Sequence, residues 1–306
     1  MGFFVIFSCV LTMLLYALPG YLLVRLKAIR EDAVSAFARL LMYVSAPCLT
    51  LYSFQRADAR PGALKSMAIF FLITLCLTGI CLGIACLLCR RRMDDVRMRI
   101  CCVACCFGNC TFMGVPLLES MLPEYTEGPM LANMFFLSMS IVGWTAGSAV
   151  IARDRRHMQL SKALLNPAVL AMAMAIPLYL LDIHLPAQLG DMVALLGRMT
   201  TPLCMLILGM RLATVSAREI FCSPMVYATA AVKQLVIPLA VLALTAPLPM
   251  EPDFRRTLCI LCCCPSASVV LNFAELLGEG QREAADAVLL STLLSVATIP
   301  AVSLLL

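Results

Sequence analysis

Charged residues are scarce in this sequence: they fill 13% of 306 positions, while 62% are hydrophobic and the mean hydropathy is +0.95. Ordinary soluble domains are about half apolar and about a quarter charged. A water-soluble protein of this length needs a polar surface, and 18 acidic and 23 basic residues are too few to form one. This shortage excludes a soluble globular domain.

Histidine is nearly missing as well, which argues against enzymatic and metal chemistry. The two histidines, His157 and His184, fall in predicted connectors on opposite sides of a membrane, so neither can activate a serine within a helix. CVAC at 102–105 and CILC at 259–262 have the spacing of zinc ligands. Both lie in apolar segments without a histidine, where cysteine behaves as a small hydrophobe. We expect no enzyme, no metal site and no cofactor.

Long apolar stretches indicate helices that cross a membrane. A helix of about 20 residues crosses the hydrocarbon core of a bilayer. Apolar windows between charged clusters predict an all-α polytopic membrane protein with ten spans, at 3–24, 38–55, 65–89, 99–121, 129–152, 163–182, 192–212, 223–247, 256–277 and 285–306. The chain then divides into five spans at 1–152, a basic linker at 153–162 and five spans at 163–306.

Basic residues orient these spans, because cytoplasmic connectors carry an excess of Lys and Arg. Sixteen of the 23 bases fall in the connectors after odd-numbered spans, and five in those after even-numbered spans. We therefore expect a multi-pass protein of the cell membrane with both termini outside. The +5 net charge forms no single basic face, so the expected surroundings are lipid and no nucleic-acid partner.

Three local similarities between the halves indicate an internal repeat. Pro19 in YALPGYLL matches Pro177 in MAIPLYLL, and Pro47 in VSAPCLTL matches Pro202 in MTTPLCML. RICCVACCFGN at 99–109 aligns with RTLCILCCCPS at 256–266. Because each half has an odd number of spans, the two repeats must be inverted. Inverted repeats commonly build outward-open and inward-open states around one site.

Polar interruptions lie at equivalent positions in the fourth and ninth spans. The first is GNCTFMGVP at 108–116, and the second is CCPSASVVLN at 263–272. Broken helices that cross in the membrane often hold the substrate of a transporter. The residues that we expect to bind substrate there are Asn109, Thr111, Pro116, Pro265, Ser266, Ser268 and Asn272. The alternative is a pair of proline kinks, whose polar side chains only satisfy freed backbone groups.

A few ionisable residues fall within or beside the spans. Lys233 lies near the middle of the eighth span, where a charge is costly and must face a partner or a cavity. It either binds a substrate carboxylate or changes protonation during transport, or else donates to carbonyls at the crossing. Glu275 follows the second interruption and is a candidate for ion coupling, although a solvated role is the simpler one, as it is for Glu119. Arg198 is expected to extend toward the lipid headgroups.

The same stretches resemble the auxin efflux carrier family, in its short bacterial branch of organic-acid permeases. The resemblance is carried by GNCTFMGVPLLE at 108–119, PLCMLILGMRL at 202–212, KQLVIPL at 233–239, PSASVVLNFAELLG at 265–278 and STLLSVATIP at 291–300. It implies ten helices in two inverted repeats, with broken crossing helices 4 and 9 and a mobile domain against a scaffold of helices 1, 2, 6 and 7. It also implies a homodimer through that scaffold.

The family resemblance implies organic anions as substrates, and here malate- or malonate-like carboxylates moved by elevator-type alternating access. Asn109 falls on the family's asparagine in helix 4 and Pro265 on its proline in helix 9. The paired Asn-Pro-Asn of the plant carriers is not matched, so auxin is a poor candidate. A sodium- or proton-coupled carrier or antiporter of related fold, and a receptor that does not transport, remain alternatives.

Overall fold

The computed structural model describes residues 3–30, 33–58, 60–215 and 223–306, and every regular element in these ranges is helical. The helices are α1 (Phe3–Arg25), α2 (Val34–Arg56), α3 (Ala63–Leu88), α4 (Val96–Ala104), α5 (Gly114–Met121), α6 (Gly128–Ala152), α7 (Leu160–Leu164), α8 (Pro167–Leu180), α9 (Ala187–Thr214), α10 (Pro224–Thr245), α11 (Pro252–Cys263), α12 (Val269–Leu277) and α13 (Gln281–Ser303).

Seven of these helices, namely α1, α2, α3, α6, α9, α10 and α13, are long and apolar enough to cross a membrane. In lipid every backbone N–H and C=O must be bonded within the protein, and a continuous helix satisfies that demand. The segment from Arg155 through α8 passes the same test as a pair bent by 42°. The bend occurs where Asn166 caps α8 by accepting from the Ala168 amide and Pro167 begins the helix. The chain is thus an all-helical, multi-pass membrane protein.

The predicted fourth and ninth spans are the ones that break. Helix α4 ends at Ala104 and α5 begins at Gly114; α11 ends at Cys263 and α12 begins at Val269. In the second break the cause is local. The residue before a proline is driven to extended backbone, and Cys264, which precedes Pro265, has φ −57° and ψ 142°. The breaks leave two short stretches of irregular backbone in the interior.

Polar contacts distinguish the two ends of the helix bundle. At one end, the "basic end", Arg153 pairs with Asp94, and Arg99 pairs with Glu279 at 2.8 Å. At the opposite end, the Tyr179 hydroxyl donates to the carbonyl of Asp58 at 2.9 Å. The basic end therefore gathers the connectors after α3, α6 and α12. Arg218, which the sequence analysis counts on this side, lies outside the described residues.

Two pairs of glycines with the same spacing have different environments. Gly143 and Gly147 lie under aromatic rings, since a methyl group added to Gly143 would meet the ring of Phe273 at 2.9 Å. Small residues four positions apart allow close helix packing, and Gly143 and Gly147 take part in it. A methyl group on Gly79 or Gly83 would meet no described atom within 4 Å. Within the described ranges, nothing packs against these two glycines on α3.

Helices α1 and α9 approach each other backbone to backbone at two glycines. A methyl group on Gly209 would lie against the carbonyl oxygen of Ala17, and one on Gly20 would lie 2.1 Å from the carbonyl oxygen of Leu206. Only glycine fits at such backbone-to-backbone contacts.

The sixteen described cysteines are free thiols, and ten of them are buried, as expected for cysteines that pack as small hydrophobic side chains.

Candidate functional site

The two interrupted segments meet and pair with each other. The backbone N–H of Asn109 donates to the carbonyl of Pro265 at 2.8 Å, and the backbone N–H of Ala267 donates to the carbonyl of Phe107 at 2.9 Å. This short antiparallel pairing, centred on Gly108 and Ser266, satisfies backbone groups that the broken helices leave free. The pairing fixes the crossing point of the two breaks.

Buried polar side chains hold the crossing in place. The Ser266 hydroxyl donates to the carbonyl of Ala104 at 2.9 Å, and the Ser266 amide donates to the hydroxyl of Ser291 at 3.0 Å. The Lys233 ammonium donates to the carbonyl of Cys262 at 3.1 Å, and this lysine is 1% exposed. These hydrogen bonds satisfy backbone carbonyl and amide groups at the breaks. For Lys233, this is the structural alternative given in the sequence analysis, donation to a carbonyl at the crossing.

Pro116 acts at the start of α5 and not in the middle of a helix. It is the third residue of α5, where a missing N–H costs no helical bond. In an unbroken helix the carbonyl of Phe112 would bond to residue 116. Here it accepts instead from the hydroxyl of Thr201 on α9, at 2.7 Å. The freed carbonyl thus ties the break to α9.

A cavity of about 1040 Å³, the "large cavity", extends from the basic end to the crossing. Asn109 and Phe112 line it at the first break, and Ser268 and Asn272 line it at the second. Ser268, Asn272 and Glu275 are spaced three or four residues apart, so they lie along one side of the chain that leads into and through α12. Most of the remaining wall is apolar, with aromatic and aliphatic side chains from α2, α6, α9, α12 and α13.

The charge on the described wall of the large cavity is positive on balance. Three arginines, Arg39, Arg211 and Arg282, line the wall together with a single carboxylate, that of Glu275. The Arg211 guanidinium contacts the Glu275 carboxylate at 3.1 Å. A cavity with low-dielectric walls and surplus positive charge attracts anions.

A second cavity of about 470 Å³, the "small cavity", lies on the other side of the crossing. Pro116, Glu119 and Thr201 line it, and Glu119 pairs with Arg56 at 2.5 Å. Arg198 also lines it, with its guanidinium 2.8 Å from the hydroxyl of Tyr52. Since α9 begins five residues before the predicted span, Arg198 lies deeper along the helix than expected and has a protein partner.

The structure divides the predicted site residues into three groups. Asn109, Ser268, Asn272 and Glu275 line the large cavity, and Pro116 lines the small one. Thr111, Lys233, Pro265 and Ser266 are buried in the crossing between the cavities.

The sequence analysis did not single out Arg211, Phe112, Trp144 or Thr201, which also line these cavities. Arg211 was counted only as a base at a helix end. The sequence feature that could have identified Arg211 is its position in PLCMLILGMRL, nine residues after Pro202. Nothing in the sequence marks Thr201 apart from the proline beside it, since its role depends on a carbonyl 89 residues away.

Comparison with known families assigns the chain. A family model described as membrane transport protein matches residues 5–160 and again residues 152–303. No curated protein sequence gives a significant match. The two matches cover nearly the whole chain, including both breaks and the residues that line both cavities. The chain therefore belongs to this family of membrane transporters, the auxin efflux carrier family.

Proposed function

We propose that the chain is a secondary transporter of small organic anions, with malate- or malonate-like carboxylates as first candidates. The observation that carries the proposal is the large cavity, which has three arginines against one glutamate on its described wall and ends at the paired breaks. Irregular backbone is tolerated within a membrane where it lines such a cavity. An anion that enters from the basic end meets favourable charge and then the polar groups of the crossing.

The proposed architecture is ten membrane-spanning segments in two inverted five-helix repeats. Seven continuous helices, the bent segment that ends in α8 and the two interrupted pairs make up this number. Support comes from the matched prolines and from the pairing of the two breaks, which repeat symmetry would bring to one point. In this architecture one bundle moves relative to the other in an elevator-type cycle.

The proposed substrate contacts are the side chains that face the large cavity, Asn109, Ser268 and Asn272. Thr111, Pro116, Pro265, Ser266 and Lys233 belong to the proposed crossing that stands behind those three side chains. The division follows exposure, because a substrate that fills the cavity reaches its wall and not the buried pairing behind it.

The proposed location is the cell membrane, with the basic end in the cytoplasm and both termini outside. Positively charged connectors favour the cytoplasmic side. The large cavity then opens to the cytoplasm. We also propose a homodimer through the scaffold helices α1, α2, α8 and α9, on the basis of the family assignment.

A sodium- or proton-coupled carrier is the second candidate. It is favoured by Glu275, a carboxylate on the wall of the large cavity. The contact between Glu275 and Arg211 weakens it, because a cation bound at Glu275 would lie beside a guanidinium. A receptor without transport has no specific contact in its favour.

Uptake by reconstituted protein tests the proposal. Proteoliposomes should accumulate labelled malonate or malate faster than empty liposomes, and a sodium or pH gradient should change the rate only if transport is coupled. Replacing Asn109 by alanine should reduce substrate affinity about 2- to 10-fold, the range for one lost neutral hydrogen bond.

The matched control is Thr298→Val, which removes a hydroxyl bonded only within its own helix. This variant should transport at the wild-type rate. Absence of uptake for every carboxylate tested would refute the proposed function. Wild-type affinity in Asn109→Ala would refute only the assignment of that residue.

A further inference from the structure

Arg211 differs from the other arginines of the large cavity in its burial. Its side chain is 19% exposed, whereas Arg39 and Arg282 are exposed residues. A poorly hydrated guanidinium binds a carboxylate more strongly than one in water, because less solvent screening opposes the contact. Arg211 and Cys204 both line the large cavity from α9. They are seven residues apart, so about 10 Å of helix axis separates them.

The partner of Arg211 is itself a carboxylate. Glu275 contacts the guanidinium at 3.1 Å, and its side chain is 50% exposed toward the cavity. Half of the Glu275 side chain remains in contact with solvent, so Glu275 leaves the pair more easily than a buried carboxylate would, and an entering carboxylate restores the contact that Arg211 loses. A second carboxylate that enters the cavity can therefore exchange with Glu275 at small cost.

The same pair occurs a second time, at the other end of the molecule. Arg56 ends α2 and pairs with Glu119 of α5, as Arg211 near the end of α9 pairs with Glu275 of α12. Arg211 follows Arg56 by 155 residues and Glu275 follows Glu119 by 156, close to the offset of the matched prolines. Repeat symmetry thus gives each side of the crossing one arginine held by one glutamate.

We propose that Arg211 is the residue that binds the substrate carboxylate in the large cavity, and that Glu275 is the counter-ion which the substrate displaces. Of the repeat-related pair, Glu119 lines the small cavity, whereas Arg56 is not among the described residues of that wall. The inference rests on the proposed function and adds to it the group that recognises the anion. The remainder of the substrate then points along the polar side of the α12 segment toward Asn109.

Binding measurements on the purified full-length protein test the exchange. The probes are malonate and phenylacetate, with malonamide and phenylacetamide as uncharged counterparts of the same shape. Arg211→Gln should weaken binding of the acids about 10- to 100-fold, because a charge-assisted pair is lost. Glu275→Gln should strengthen it or leave it unchanged, since the competing carboxylate is gone. The amides should bind weakly and equally to all variants.

The opposite effects of the two variants separate recognition from a structural role. If the pair only stabilises the fold, both variants should weaken binding alike and lower the unfolding temperature alike, and the inference is overturned. Arg97→Gln is the control, because Arg97 pairs with Glu283 at the basic end outside the large cavity. Equal binding by wild type and Arg211→Gln also overturns the inference. If the wild type binds neither acid, the proposed function fails, and the inference with it.

Discussion

At the scale of single residues, Lys233 shows how a buried ionisable group can be satisfied by a backbone carbonyl beside a helix break. Its ammonium donates to the carbonyl of Cys262, and a methyl group on Gly108 would lie 2.9 Å from the same nitrogen. The lysine therefore supports the second break while it packs against the first. Lys233 is not among the described residues that line either cavity.

Lys233→Met should destabilise the fold without changing substrate affinity. The variant keeps much of the side-chain volume but leaves the Cys262 carbonyl without this donor, which costs about 1–3 kcal/mol when the acceptor is buried. Thermal unfolding in detergent should show a lower midpoint, while the dissociation constant for the best carboxylate stays within about twofold of wild type. A large loss of affinity at an unchanged midpoint would instead assign Lys233 to the substrate.

At the scale of helices, glycine spacing alone does not predict which faces pack. Gly79 and Gly83 share the spacing of Gly143 and Gly147, yet among the residues that the structure describes only the second pair meets other side chains. Spacing fixes which residues share a helix face. Whether another helix approaches that face depends on tertiary packing, which for Gly209 brings α1 to direct backbone contact.

Gly209→Ala should therefore be far more damaging than Gly79→Ala. The added methyl group would overlap the carbonyl oxygen of Ala17, so α1 and α9 must separate. We expect a loss of folded protein, measured by monodisperse yield and unfolding temperature. Gly79→Ala, on an open face, should be neutral or stabilise the helix by up to about 1 kcal/mol. Equal behaviour of the two variants would contradict the close approach of α1 and α9.

At the scale of the whole molecule, we expect a difference between the proposed repeats to bias access to the crossing. Thr201 bonds to the carbonyl of Phe112 and thereby joins α9 to the first break. The matched prolines place Ala46 where Thr201 stands, and the aligned breaks place Val269 where Phe112 stands. Alanine has no hydroxyl, and both Ala46 and Val269 line the large cavity. The Thr201 contact therefore ties one side of the crossing, and the position that the proposed symmetry makes equivalent has no hydroxyl.

Moving the hydroxyl from position 201 to position 46 should reverse the preference for an open large cavity. The double variant Ala46→Thr, Thr201→Val should favour closure of the large cavity by roughly tenfold or more, the effect of two neutral hydrogen bonds. Two native thiols report the change, because Cys204 lines the large cavity and Cys9 lines the small one. Maleimide labelling of Cys204, followed by peptide mass spectrometry with Cys9 as reference, should become slower.

Thr201→Ser keeps the hydroxyl and should label like the wild type. An unchanged ratio of Cys204 to Cys9 labelling in the double variant would contradict a role for the Thr201 contact in access.

The sequence by itself determined that this protein lies in lipid, and it determined where two of its membrane helices are interrupted. Long charge-free runs require lipid, and Pro265 together with the small polar residues around Asn109 makes continuous helix unfavourable at two places. These are local properties of the backbone and of side-chain transfer. For that reason the all-helical, multi-pass fold and both interruptions were predicted correctly.

The tertiary structure alone decided which of those residues face a cavity. Thr111, Ser266 and Asn109 are similar in the sequence, but only Asn109 reaches the wall of the large cavity. Arg211 lies on the cavity wall beside Glu275, and Lys233 supports the crossing through Cys262, so their partners are 64 and 29 positions away. Such contacts depend on how separate helices pack, and no local pattern in the chain encodes them.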